Sequence, residues 1–329
     1  MKKSRMKNVK LCVVVLFFAM MNLASCNAQS DVYVVGSEGF VATLWKNGVA
    51  QNLTDGTNPA GAESVYVSGN DVYIAGYEMT AQGIQVAKLW KNGVAQNLTD
   101  GNYKALATSV YVSGSDVYVA GFEENMLGYS YAKLWKNGVA QNITGGTATA
   151  QANYVYASGN DVYVVGFESK IPFIWKNGEE NILSFDGRAN SAYVFGNDVY
   201  IVGWEKGNNV SGDGLFRNLS MRIAKLWKNE GIEVKDEQYL TDGNSLAEAT
   251  SVYVAGSDVY IAGVENLVGR LWKNGKVQNI LEGMPTSVYV SGSDVYVALY
   301  GGGAKLWKNG VVQNLSGNET AFANCVFVK

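Results

Sequence analysis

Residues 64–101 read SVYVSGNDVYIAGYEMTAQGIQVAKLWKNGVAQNLTDG, and the stretch divides into four pieces: SVYVSGN, DVYIAGYE, AKLWKNG and VAQNLTDG. Each piece is rich in β-branched and aromatic residues and bounded by Gly, Asn or Asp, the pattern of a short β-strand. Asn92-Gly93, between the third and fourth pieces, supplies the two positive-φ residues of a type I′ hairpin, and Gly69-Asn70 is read the same way between the first and second. The unit recurs along the chain. Trp-Lys-Asn stands at Trp45, Trp90, Trp135, Trp175, Trp227, Trp272 and Trp307, and Asp-Val-Tyr starts at Asp31, Asp71, Asp116, Asp161, Asp198, Asp258 and Asp294. Four strands per unit of about 43 residues is the pattern of a propeller blade. The chain from residue 31 begins at a second strand and ends in NCVFVK (324–329), which matches a first strand. The expected fold is therefore all-β: a seven-bladed β-propeller over 31–329, four antiparallel strands per blade, with the first blade closed by the C-terminal strand and no exposed sheet edge left at the seam. The fifth unit departs, with Asn229-Glu230-Gly231 in place of Asn-Gly, and predicts an irregular outer hairpin.

Composition narrows the chemistry. The 329 residues include 38 Gly, 3 Pro and no His. Without histidine the commonest general base, the commonest metal ligand and the Ser-His and Cys-His pairs are all absent. Three cysteines form no CxxC pair, so neither a disulfide framework nor a zinc site is expected, and nothing calls for a cofactor.

The N-terminus carries Lys2, Lys3, Arg5, Lys7 and Lys10 before an apolar run, Leu11 to Met21, that is short for a membrane span. Residues 1–25 read as a signal peptide. The following Leu23-Ala24-Ser25-Cys26 resembles the bacterial lipobox, which implies lipidation of Cys26, a tether over 26–30 and attachment to a membrane of the bacterial envelope, the outer membrane or cell surface before the inner one. After cleavage the chain would hold 21 basic and 29 acidic side chains, a formal charge of −8, which disfavours a nucleic-acid partner. The expected molecule is monomeric. The repeat lacks the Gly-His and Trp-Asp pairs of WD-repeat blades and the paired glycines of kelch blades; it is similar to bacterial lipoproteins of seven-bladed propeller type with a Trp-Lys-Asn-Gly repeat. That resemblance implies a fold and an address but no activity.

One face of such a disc carries the short turns between strands one and two and between three and four. The other carries the strand two-to-three loops and the blade connections, and holds nearly all the length variation, so binding is expected there. Blades two, three and five have extended loops, the longest being 206–223. Candidate ligand-binding residues are Tyr77, Glu78, Phe122, Glu123, Trp204, Glu205, Phe216 and Arg217. Trp204 replaces Tyr77, Phe122 and Phe167 of other blades beside the longest loop. Six glutamates (Glu38, Glu78, Glu123, Glu168, Glu205, Glu265) recur at one blade position, with Tyr300 assigned to the seventh. They form either an acidic ring for a cation or cationic partner, or cross-strand ion pairs with Lys88, Lys133, Lys225 and Arg270. The aspartates that start each second strand are expected to cap their own turns. The tryptophans are expected to pack between blades. No catalytic residue is assigned. Three functions stay open: a binding module for a glycan or an envelope protein, a glycan-active hydrolase or lyase using loop carboxylates and tyrosines, and a structural part of an envelope complex.

Overall fold

The computed structural model describes residues 30–207 and 221–329. Cys26, Phe216 and Arg217 lie outside the described residues. Residues Asp31–Lys329 form one compact unit. Within it, seven four-stranded antiparallel sheets stand in a ring, and the first strand of each blade lines the axis beside the first strand of the next. Blades 2 to 7 span 60–97, 105–142, 150–182, 187–239, 247–281 and 284–314. Blade 1 combines 32–52 with the C-terminal strand Phe322–Val328, which pairs with Val32–Glu38 as its innermost strand. Reciprocal backbone hydrogen bonds of 2.9 Å between Asp31 and Lys329 complete the seam.

The hairpins follow from their turn residues. Asn47-Gly48, Asn92-Gly93 and their counterparts have positive φ at both positions, as type I′ requires. The strand one-to-two turns differ from expectation: positive φ occurs at Gly69, Gly114, Gly159 and Gly256 but not at the Asn or Ser that follows. These are the II′ pattern, in which Gly alone has positive φ and the second residue is ordinary. In blade 5 the outer hairpin is irregular, with a register shift between Lys228 and Asn229.

The core lies between blades. Trp45, Trp90, Trp135, Trp227 and Trp272 are fully buried, with Trp175 and Trp307 nearly so. Trp90 of blade 2 packs against Val35, Ala42 and Leu44 of blade 1, and Trp135 of blade 3 against Ala75, Ala87 and Leu89 of blade 2. Alanines on one blade admit the indole of the next, and each such contact contributes about 3–5 kcal/mol against truncation. Around the axis, Tyr66, Tyr111, Tyr156, Tyr193, Tyr253, Tyr289 and Phe327 form an unbroken circuit with ring centroids 4.5–6.0 Å apart. These seven rings line a small cavity of about 170 Å³ on the axis.

Candidate functional site

The turn face is chemically self-contained. In every blade the lysine of Trp-Lys-Asn lies 2.7–2.8 Å from the aspartate that opens strand two, from Lys46–Asp31 round to Lys308–Asp294. In the six blades with a regular turn, Asn donates through Nδ2 to Oδ1 of that aspartate, while its own Oδ1 accepts the following residue's N–H, as Asn92 does with Asp71 and Val72. The aspartates therefore brace the opposite hairpin, which corrects the expectation that each caps its own turn. The reason is geometric: strands two and three are adjacent, so the strand three-to-four turn reaches the start of strand two. Hydrogen bonding from the lysine, then from the asparagine, holds the Asp31, Asp71, Asp116, Asp258 and Asp294 carboxyls below their ordinary range.

On the loop face the glutamates are mostly committed to ion pairs. Glu78 pairs with Lys88 at 2.6 Å, Glu123 with Lys133, Glu205 with Lys225 at 2.8 Å and Glu265 with Arg270 at 3.1 Å. Lys225 is only 2% exposed and also meets Glu237 at 2.8 Å. Its burial pulls the ammonium pKa down, but the two carboxylates outweigh it and the net direction is upward. Glu38 accepts a hydrogen bond from Ser316 Oγ at 2.6 Å. The register corrects the assignment of Tyr300: it faces Met284 just as Tyr77 faces Gly61, so Gly301 occupies the glutamate position in blade 7.

Trp204 is nearly buried, and the Arg222 guanidinium lies 4.3 Å from its ring centroid. Arg222 in turn bonds Glu248 at 3.0 Å, whose other oxygen accepts from Asn190 at 2.8 Å. Beside it Arg188 stacks on Phe167 at 4.2 Å. What blade 5 presents is thus a pair of arginines over aromatic bases. Phe122 is buried, and Tyr77 is half-buried on blade 2. Tyr77 and the Glu78–Lys88 pair share that blade; Phe122 and the Glu123–Lys133 pair sit on the next.

A second site, not foreseen, lies between blades 1 and 2. A cavity of about 400 Å³ is lined by Ser37, Phe40, Gly61, Glu63, Tyr77, Phe322 and Asn324, among others. One side chain is missing from its wall. Where Gly61 stands, the other blades carry Leu106, Gln151, Arg188, Glu248, Met284 and Phe322 at the matching register. A Cβ on Gly61 would lie 2.8 Å from the Tyr77 ring, which occupies the vacated space.

Glu63 is singular for a second reason. Each innermost strand has a β-bulge, and in six of the seven blades its extra residue bonds the next blade. Thr108 donates to the Ala152 carbonyl at 2.7 Å, Asn153 to Ala189 at 2.7 Å and Asn190 to Ala249 at 2.9 Å. Thr250 donates to Pro285 at 3.0 Å, Thr286 to Ala323 at 2.8 Å and Asn324 to Ala62 at 3.1 Å. Six donors thus stitch six blade junctions. The seventh position is Glu63, which when ionised can only accept, and it takes a hydrogen bond from Asn324 Nδ2 at 3.1 Å. Among the described residues it has no cationic partner, and burial pushes its pKa up to about 7. Burial, then the Glu63 charge, raises the Tyr77 phenol as well.

No protein-family model matches the chain, and no curated protein matches it either. Solved structures do share the fold. A prolyl endopeptidase aligns at 12% identity and a TM-score of 0.51, covering 91% of this chain and 50% of its own. Pyrococcus horikoshii acylaminoacyl peptidase aligns at 14% and 0.50, covering 87% and 50%. The computationally designed Ika8 protein aligns at 18% and 0.49, covering 90% of each chain. The chain spans half the length of the two peptidases. At these identities the likeness is one of fold, and the fold is a β-propeller.

Proposed function

We propose that this protein is an envelope-anchored binding module, tethered through a lipid on Cys26, that engages a glycan or protein partner with its loop face. The observation that carries this reading is the contrast between the two faces. The turn face repeats one Asp–Lys brace seven times, with its charges internally neutralised. The loop face breaks the symmetry with unlike groups: the stacked arginines of blade 5, and the Glu63 cavity with Phe40 exposed at its rim. Symmetric, satisfied surfaces serve stability, whereas singular exposed groups on a rigid frame serve recognition. Hydrolysis of glycosides uses two carboxyl groups across one bond, and the lining of the Glu63 cavity contains one, which supports binding over chemistry.

Two measurements test the reading. Cys26→Ala should abolish incorporation of a fatty-acid probe in cells; persistent labelling would contradict the anchor. For the face, the full chain is screened against glycans and envelope proteins beside two variants, Arg188→Ala/Arg222→Ala on the loop face and Ser115→Glu on the turn face. Loss of binding by the first variant alone, on the order of ten-fold or more, is the expected result. Loss by the second alone overturns the assignment.

A further inference from the structure

The cavity between blades 1 and 2 combines one carboxyl that lacks a cation with aromatic walls and no basic group in its lining. We infer that this cavity receives the ammonium group of a lysine side chain from a partner polypeptide, with Glu63 as its counter-charge and Phe40, Tyr77 and Phe322 as its walls. The inference names the ligand chemistry of the loop face and rests on that face being the binding surface.

Three features point to an organic ammonium. A carboxylate in a partly dry site favours a cation, and ring faces add attraction to a positive charge that is losing water. A bare metal ion fits poorly, since calcium takes about six to eight oxygen ligands and this lining offers a single carboxyl. Depth favours lysine over an amino sugar: Phe40 stands at the rim, 61% exposed, while Glu63 lies two residues past Gly61 along the innermost strand, away from the loop face. A slender four-carbon stem can cross that distance, whereas a ring-bound amine is held at the rim.

The site has two states. Protonated, Glu63 is neutral and still accepts from Asn324 Nδ2. Ionised, it presents its charge to the cavity. The ionisable groups that face it are Tyr77 on the neighbouring strand and Cys325 on the C-terminal strand, both neutral acids near pH 7. A bound ammonium therefore favours the ionised state, and affinity should rise with pH until the amine itself deprotonates.

The test is a titration of the full chain in mild detergent with Nα-acetyl-lysine amide, followed through the Asn324 side-chain amide resonance. Saturable shifts are expected by about 50 mM probe, with affinity roughly ten-fold or more higher at about pH 8.5 than at about pH 5.5. Glu63→Gln, which keeps the shape and removes the charge, should lose the shifts. Phe40→Ala, at an exposed site that leaves the core intact, should weaken binding about three-fold or more. Equal binding by Glu63→Gln, no pH dependence, or no saturation overturns the inference. Tighter binding of glucosamine than of the lysine amide overturns the choice of lysine. In each of these cases a partner still lost by Arg188→Ala/Arg222→Ala would leave the loop-face reading standing.

Discussion

At the scale of the residue, the molecule turns on where one side chain differs from its six copies. Glu63 sits where Thr or Asn stitches every other junction, and its carboxyl titrates near 7 instead of near 4.5. Because the folded-state value lies above the unfolded one, its stabilising contribution is complete below about pH 4.5 and is lost as pH rises through about 7. That displacement corresponds to about 3 kcal/mol. Between pH 5 and 8 the brace aspartates stay ionised, so they add little to the slope. Urea denaturation of the parent should show a loss of stability of about that order across this interval, and Glu63→Gln should remove that loss. Equal slopes for the two proteins would show that Glu63 is not held in its acid form by the fold. The signal was present in the sequence. Glu63, Thr108, Asn153, Asn190, Thr250, Thr286 and Asn324 all stand three positions before the axial aromatic, and one of the seven is acidic. The significance of that column depends on the β-bulge, which turns each of these residues towards a neighbouring blade and leaves no trace in the linear pattern.

At the scale of the element, two glycines of one blade show how the same residue type serves different demands. Gly76, in the second strand of blade 2, has the Gly61 carbonyl oxygen 2.1 Å from where a Cβ would sit. Gly93 has open space around it but a φ of 81°, in the left-handed region. Gly76→Ala must displace backbone at the bulge and should cost about 3 kcal/mol or more. Gly93→Ala should cost about 1–2 kcal/mol through backbone strain alone. Thermal melts of the two variants check the order, and a larger loss at Gly93 would contradict the close packing of strands one and two. The strands and the Asn-Gly turns were legible because both are local in origin. The roles of the lysine and asparagine of Trp-Lys-Asn are not local, since their partner is an aspartate 14–30 residues away, brought close only by hairpin pairing.

At the scale of the whole molecule, closure and asymmetry explain each other. The C-terminal strand completes blade 1, so the ring has seven junctions and a bore lined by six tyrosines and Phe327. The aromatic circuit was hidden in plain view as the tyrosine of each first strand, because linear sequence does not show that seven such residues converge on one axis. A ring this regular supports departures at few points: one is the outer hairpin of blade 5 on the turn face, and the others, Gly61, Glu63 and the arginines of blade 5, lie on the loop face. The central claim is that this face alone meets a partner. It is tested most directly by placing a photo-activated cross-linking amino acid at Phe40 on the loop face or at Ser115 on the turn face, and irradiating cells that express the full chain. Adducts from Phe40 with none from Ser115 are predicted; adducts from Ser115 with none from Phe40 would contradict the account.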